Sequence, residues 1–409
     1  MRQTWALVGA MILAAASGCG HDDSADESAR GGSSGNAGST GSSSSGAGGQ
    51  ASVGGGAGAT GVTPIEGYEG FGAVTRGAAS CPEDSVEIHV TSLADAGSGT
   101  LREALEAGGC RRVVFDVGGT IHLEDDLDIR WSHVTVDGST APSPGITIEQ
   151  PLGVNTTISG HNSTGSPHDI IINNLRHVGP GGHDDTTDDF WGLDGEAAPV
   201  YNVVIDHVTG IGANDGVFDF WGDVHDVTIS WNLILDTVCA LHLSNADFVR
   251  QRISFHHNVF ARNNERQIRI RHDNRLIDYV NNVVYGWGWF EAGGYGLGIV
   301  YDAGEANPNL NVVGNAFLYV DGLDGDPEDA ILFTAESDSG DVYFTDNLVP
   351  PEETDQTSGT IDEPLPISAA ARVTAYAAAS LGETVVPLAG THYRTDDELA
   401  LLNEIEAAF

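Results

Sequence analysis

The sequence predicts an all-β protein, a right-handed parallel β-helix (a solenoid) with short capping helices at both ends. Three observations predict it. First, one phrase recurs: Ile170-Ile171-Ile172-Asn173-Asn174-Leu175, Val203-Val204-Ile205-Asp206-His207-Val208, Val227-Thr228-Ile229-Ser230-Trp231-Asn232 and Ile253-Ser254-Phe255-His256-His257-Asn258. It returns as Asp278-Tyr279-Val280-Asn281-Asn282-Val283, Asn311-Val312-Val313-Gly314-Asn315-Ala316 and Val342-Tyr343-Phe344-Thr345-Asp346-Asn347. Alignment sets Asn174, His207, Asn232, Asn258, Asn282, Asn315 and Asn347 in register, at gaps of 33, 25, 26, 24, 33 and 32 residues. Second, each phrase is β-branched and ends in a polar residue that tolerates a sharp bend, so stacked coils would bring the amides together as a ladder. Third, the spacers are rich in Gly, Asp, Asn and Thr. They read as turns, not as the crossover helices of a βαβ sheet, and the two-residue linkers of hairpins are mostly absent.

The elements follow in order. Trp5 to Ala16 is an apolar run after Arg2, too short for a permanent span, and Ala16-Ser17-Gly18-Cys19 has the form of a lipobox. Residues 1–18 are expected to be a lipoprotein signal peptide, and Cys19 the acylated first residue of an exported chain. Residues 19–62 hold little except Gly, Ser, Ala, Asn, Thr and a few acids and read as a disordered tether. Residues 63–409 form the solenoid domain. Thr100…Glu103 has a capping-box pattern ahead of a short helix at Leu101–Leu105. Cys81 and Cys110 can close a loop across that segment, contributing about 3 kcal/mol. Cys239 lies in an apolar run and reads as a buried small hydrophobe. A C-terminal cap is expected over about 365–409, with Leu399, Leu402 and Ile405 on one helical face.

Charge narrows the function. The 409 residues carry 17 basic side chains, all Arg, against 59 acidic, a net charge of −42. No basic stripe is available for nucleic acid, so that partner is excluded. A polyanionic ligand would need a metal bridge or a local Arg cluster.

Both are present. Asp215-Gly216-Val217-Phe218-Asp219 sets two carboxylates four apart around a Gly turn, just before the strand Val227–Trp231. Asp188-Asp189 precedes it by one coil, a rise of about 4.8 Å. Acids so crowded repel one another unless a cation sits among them, and oxygen ligands favour Ca²⁺. Scattered strand-terminating Asp would be the plain alternative. Arginine is scarce, yet Arg262, Arg266, Arg269, Arg271 and Arg275 fall within fourteen positions. Arg269 and Arg271 share a strand face, and Arg266 lies by the preceding turn. Salt bridges to the acidic surface are the alternative for these.

The chain resembles the pectate lyases of polysaccharide lyase family 1. Gly70-Phe71-Gly72-Ala73-Val74-Thr75, His89-Val90-Thr91-Ser92-Leu93, Gly99-Thr100-Leu101-Arg102-Glu103-Ala104 and Val114-Phe115-Asp116-Val117-Gly118-Gly119-Thr120-Ile121 are similar to its opening. Ile205-Asp206-His207, the Ser230-Trp231-Asn232 and His256-His257-Asn258 phrases and Arg266-Gln267-Ile268-Arg269-Ile270-Arg271 continue the order, which runs over residues 68–290. The resemblance implies a Ca²⁺-dependent β-elimination of 1,4-linked polygalacturonate (pectate), giving unsaturated oligogalacturonides. It implies metal ligands at Asp215, Asp219 and Asp189 or Asp188, with the alternation of Trp191 and Leu193 favouring Asp189. It puts the catalytic Arg at Arg266 and a substrate-binding Arg at Arg271, beside Arg269.

The sequence departs from the family twice. Ile268 replaces the Pro of the Arg-x-Pro-x-x-Arg phrase, and the family's substrate-binding Lys falls at Val238 or Cys239. His242 is the nearby substitute. Two rival functions follow: a non-catalytic surface glycan-binding coil, supported by the missing Lys, and a polygalacturonase-type hydrolase, faintly echoed by Arg269-Ile270-Arg271. Asp215 and Asp219 count against a pectin lyase. The expected molecule is a monomer, secreted or lipid-anchored at the cell surface or outer membrane, touching membrane only through Cys19.

Overall fold

The structure, a computed structural model, describes residues 67–161, 165–181, 189–243, 248–270, 274–289, 294–301, 308–323, 325–335, 341–351 and 361–409. The signal peptide, Cys19 and the tether lie outside the described residues. Among those described, no helix is long and apolar enough to cross a membrane.

Every recorded strand pairing is parallel, and each strand pairs with its counterpart one coil on. The strands make a 16-stranded and an 8-stranded sheet. The larger one has two faces, because Trp191–Asp206 and Phe218–Ser230 run through the corner between them. The first face includes Thr156–Ser159, the leading halves of those two long strands, Leu241–Leu243, Ile268–Ile270 and Leu297–Tyr301. The second runs from Val86–Val90 through His168–Asn173, the trailing halves, Gln251–His256 and Arg275–Val280 to Asp341–Thr345. The 8-stranded sheet is the third face, from Gly119–His122 to Ala316–Leu318. The chain winds as a right-handed parallel β-helix.

The repeated phrase explains the core. Ile170, Val203, Val227, Ile253, Ile277, Leu310 and Val342 stack in register, all buried inside the coil. Ile172, Ile205, Ile229, Phe255, Tyr279 and Val312 form the neighbouring stack. Each buried aliphatic contributes about 1.5–3 kcal/mol by leaving water.

The amide ladder exists, but one residue out of step with the expectation at its start. Asn232, Asn258, Asn282, Asn315 and Asn347 are joined by side-chain N–H donation to the next Oδ1, at 2.9, 2.9, 3.2 and 2.9 Å. Asn174 and His207 instead align with Trp231, His257, Asn281 and Asp346, in the left-handed region at φ 51–57°. Val208 occupies the ladder position of its coil, its amide donating to Asn232 Oδ1. The bend, not the amide, is what these two residues share with the phrase.

Thr100 Oγ1 accepts from the Glu103 amide at the start of Leu101–Glu106, and Cys81 and Cys110 are disulfide-bonded. The C-terminal helix Asp396–Glu406 carries a full capping box at Thr395 and Glu398. It does not close the far end. Leu401, Leu402 and Ile405 pack with Leu233, Val259 and Val283 against the outside of the third face, and Leu399 is exposed. Glu398 forms a buried pair with Arg176, with 2.8 and 2.7 Å bonds. The other end of the domain is a strap: the Phe71 amide donates to Ser254 Oγ and the Gly72 amide to Thr228 Oγ1. A Cβ at Gly72 would meet the Val203 carbonyl oxygen at 2.3 Å, so the strap lies too close for any side chain there.

Candidate active site

Outward positions of the first face form one line across the coils. Register joins Thr157 to Gly192, Gly192 to Asp219, Asp219 to His242, His242 to Arg269 and Arg269 to Gly298. Alternation causes this. Phe218 and Phe220 belong to the core, so Asp219 faces out; Leu241 and Leu243 do the same for His242, and Ile268 and Ile270 for Arg269. A carboxyl group, an imidazole and a guanidinium therefore stand on successive coils. His242 Nδ1 lies 3.9 Å from Asp219 Oδ1, and the Trp221 ring meets His242 edge-on at 6.3 Å.

Two further acids reach the same place. The turn before Phe218 carries Asp215, whose carbonyl accepts the Cys239 amide at 3.1 Å. One coil earlier, Asp189 Oδ1 accepts the Gly216 amide at 3.2 Å, while its own amide is held by Asn155 Oδ1. Asp189, Asp215 and Asp219 thus surround the Gly216 turn. Asp188 and Arg271 lie outside the described residues.

These carboxylates are costly as they stand. Asp215 and Asp219 are only 7% and 5% exposed. Burial, and then the neighbouring Asp215 charge, push the Asp219 carboxyl well above the usual range, against the pull of Arg266 and Arg250. Asp219 Oδ1 is shielded from solvent without a hydrogen-bond partner among the described residues. Oxygen donors of high charge with an unmatched buried oxygen fit a hard divalent cation such as Ca²⁺.

Arg266 sits on the next coils, before the strand Ile268–Ile270, in the left-handed region at φ 55°. Its carbonyl accepts the Leu241 amide at 2.8 Å, and its Nε lies 3.2 Å from Glu265 Oε1. Desolvation lowers the Arg266 pKa, but the charges of Glu265, Tyr295, Asp215 and Asp219 outweigh it and hold the group above its usual value. Val238 and Cys239, the two places where the family Lys would fall, are both buried, and Cys239 pairs with Glu265 on the next coil.

The structure brings together Asp189, Asp215, Asp219, His242, Arg266 and Arg269. Sequence reading missed three members. Glu265, the residue before Arg266, was legible only as one acid among 59 acidic residues. Arg250 is wholly buried, donates to Asn274 Oδ1 at 2.8 Å and acts on Asp219. Tyr295 has its hydroxyl pushed up to about 12 by burial and then by Glu265, and it hydrogen-bonds Arg266. No sequence motif marks the last two.

No protein-family model matches the chain. It is 30% identical over 279 residues to "Probable pectate lyase C" of Aspergillus flavus, covering 68% of this chain and 59% of that protein. It is 31% identical over 260 residues to the protein of the same name in Aspergillus oryzae, covering 63% and 54%. The chain thus spans a little over half the length of these curated relatives. Among solved structures, the cedar-pollen allergen jun a 1 superposes with a TM-score of 0.59 at 18% identity, over 79% of this chain and 92% of that one. A pectate lyase of Bacillus sp. N165, solved in complex with trigalacturonate, gives 0.54 at 16%, over 80% and 99%. By sequence and fold together, the chain is a homologue of the pectate lyases, built on their right-handed parallel β-helix.

Proposed function

We propose that the protein is a Ca²⁺-dependent pectate lyase that cleaves 1,4-linked polygalacturonate by β-elimination. The observation that carries this reading is the meeting of Asp189, Asp215 and Asp219 around one turn, in line with His242 and Arg269 and close to Arg266.

Asp189, Asp215 and Asp219 would hold the cation, with Asp188 as a neighbouring candidate. Bound Ca²⁺ supplies charge withdrawal from a uronate carboxylate, which acidifies the proton on the adjacent carbon. Arg269 and Arg271 neutralise the substrate carboxylates, and His242 takes the polar contact that the family gives to Lys. Arg266 accepts the proton. The electron pair of the broken carbon–hydrogen bond becomes the new carbon–carbon double bond, the C4–O bond breaks with its pair on oxygen, and the leaving oxygen takes a proton from solvent. Arg266 must first lose its own proton, and Glu265 opposes that. The enzyme works as an exported monomer, secreted or held at a surface by an acyl chain on Cys19. The test is polygalacturonate with and without Ca²⁺, followed by ultraviolet absorbance of unsaturated ends; no signal with either sinks the reading.

A second reading has its own support. Glu265 keeps Arg266 charged, and buried Val238 and Cys239 stand where the Lys would be. Those two features suit a coil that binds polygalacturonate without cleaving it. Binding with no unsaturated product would select it.

A further inference from the structure

The corner between the first and second faces carries a cluster separate from the Asp215–Arg266 site. His133 and Asp169 stand at equivalent points of successive coils, one residue before the paired Val134 and Ile170. Both adopt left-handed φ, 61° and 54°. His168 comes just before Asp169. Asp169 Oδ2 lies 3.6 Å from His133 Nδ1 and 3.8 Å from His168 Nε2. One ligand atom from each of the three lies within 4.8 Å of the others.

Each side chain is fixed from behind. His168 Nδ1 lies 2.7 Å from the Ser166 carbonyl, which only accepts, so Nδ1 carries the proton and Nε2 presents its lone pair towards Asp169. Tyr201 stacks flat on the His168 ring, at 4.8 Å and 4°. Asp169 Oδ1 accepts from Thr75 Oγ1 at 3.2 Å and the Arg76 amide at 3.5 Å, which leaves Oδ2 to the imidazoles. His133 Nδ1 is shielded from solvent and has no hydrogen-bond partner among the described residues.

We propose that His133, His168 and Asp169 form a binding site for a divalent transition-metal ion of the Zn²⁺ class. Two imidazole nitrogens and one carboxylate suit Zn²⁺ and not Ca²⁺, which takes oxygen ligands. A tetrahedral site with bonds of about 2.0–2.1 Å sets its ligand atoms about 3.3–3.4 Å apart. The two Asp169–imidazole separations therefore need to close by only a few tenths of an ångström, and the two imidazoles, within 4.8 Å, turn in to match, with water as the fourth ligand. The bound ion would pin two successive coils to the strap that carries Thr75 and Arg76.

The experiment uses the whole chain, stripped of metal and titrated with Zn²⁺ by calorimetry in excess Ca²⁺, with Co²⁺ absorbance as a second readout of coordination. One Zn²⁺ site is expected, weakened at least about tenfold in both His168→Ala and Asp169→Asn. Asn tolerates the left-handed backbone and keeps an oxygen for Thr75, so that variant folds. Circular dichroism and polygalacturonate binding check both variants. Two His-Asp-Asp runs, starting at His21 and His183, are the competing sites. The proposal fails if His21→Ala or His183→Ala removes the binding instead. It fails equally if both cluster variants bind Zn²⁺ as wild type does, if no Zn²⁺ binds, or if Ca²⁺ displaces it.

Discussion

Glu265 and Arg266, neighbours in the chain, face each other across 3.2 Å at the point where the family places its proton acceptor. The carboxylate is the largest influence raising the Arg266 pKa, set against the desolvation that lowers it. Glu265→Gln removes that support, so the Arg266 pKa falls. If Arg266 takes the proton, the alkaline rise of kcat shifts to lower pH in Glu265→Gln. A pH–rate profile checks this; an unmoved profile means that Arg266 does not set the rate.

Arg266→Lys keeps the charge and loses the planar fork. Turnover should fall at least about 100-fold while oligogalacturonate binding in saturating Ca²⁺ stays within a few-fold. Single-turnover elimination and a binding isotherm separate the two quantities. Normal turnover would pass the role to another group, with His242 next to be mutated.

Asp219→Asn and Asp215→Asn should each raise the half-saturating Ca²⁺ concentration by at least about 10–100-fold, the cost typical of removing even an outer-shell partner. Rate against buffered free Ca²⁺ measures it. Full activity in excess chelator would remove the metal from the reaction.

Asp278 offers a pH test far from any charge transfer. Burial raises its carboxyl from 3.8 to about 6, against a lowering hydrogen bond from Asn311. The folded state therefore keeps the proton longer than the unfolded chain does. Stability from this group is full below pH ~4 and is lost as pH rises through ~6. Asp278→Asn should stabilise the protein at pH 7 by on the order of 2–3 kcal/mol and change little at pH 4. Denaturant melts at the two pH values decide it.

Removing one member of the buried Arg176–Glu398 pair strands the other. Arg176→Ala or Glu398→Ala should each cost about 3–5 kcal/mol, while the paired change Arg176→Met with Glu398→Leu should cost less than either. Urea unfolding of the three variants gives the comparison. Equal losses in all three would mean that packing, not charge, holds the C-terminal helix.

The winding of the chain was legible because each coil repeats the same in–out alternation, and Ile229 or Ile253 can be placed without any other coordinate. The site was legible where one turn supplies several carboxylates, as with Asp215 and Asp219. Legibility ended where partners come from different coils. His133 and Asp169 are 36 residues apart in sequence yet adjacent in space. Arg250 acts on Asp219 from the next coil, at a position that the sequence does not mark. The start of the ladder was misplaced because Asn174 and His207 are polar at the bend, and polarity alone does not separate a left-handed backbone from an inward amide. Leu399 was misread because Leu401, Leu402 and Ile405 already fill the buried stripe of a short helix.

The strap has a consequence for the chronology of the molecule. Its footing is distant in sequence: the Phe71 amide rests on Ser254, and Glu69 takes the Thr374 amide at 2.7 Å. A chain delivered from its amino end presents the strap while the residues that receive it are still unmade or still in transit. The first part of the domain to emerge is thus the last to be seated, and it stays open to proteases until residue 374 has arrived. Loss of the final stretch of chain would be felt at the opposite terminus, as early hydrogen exchange around Glu69 to Val74.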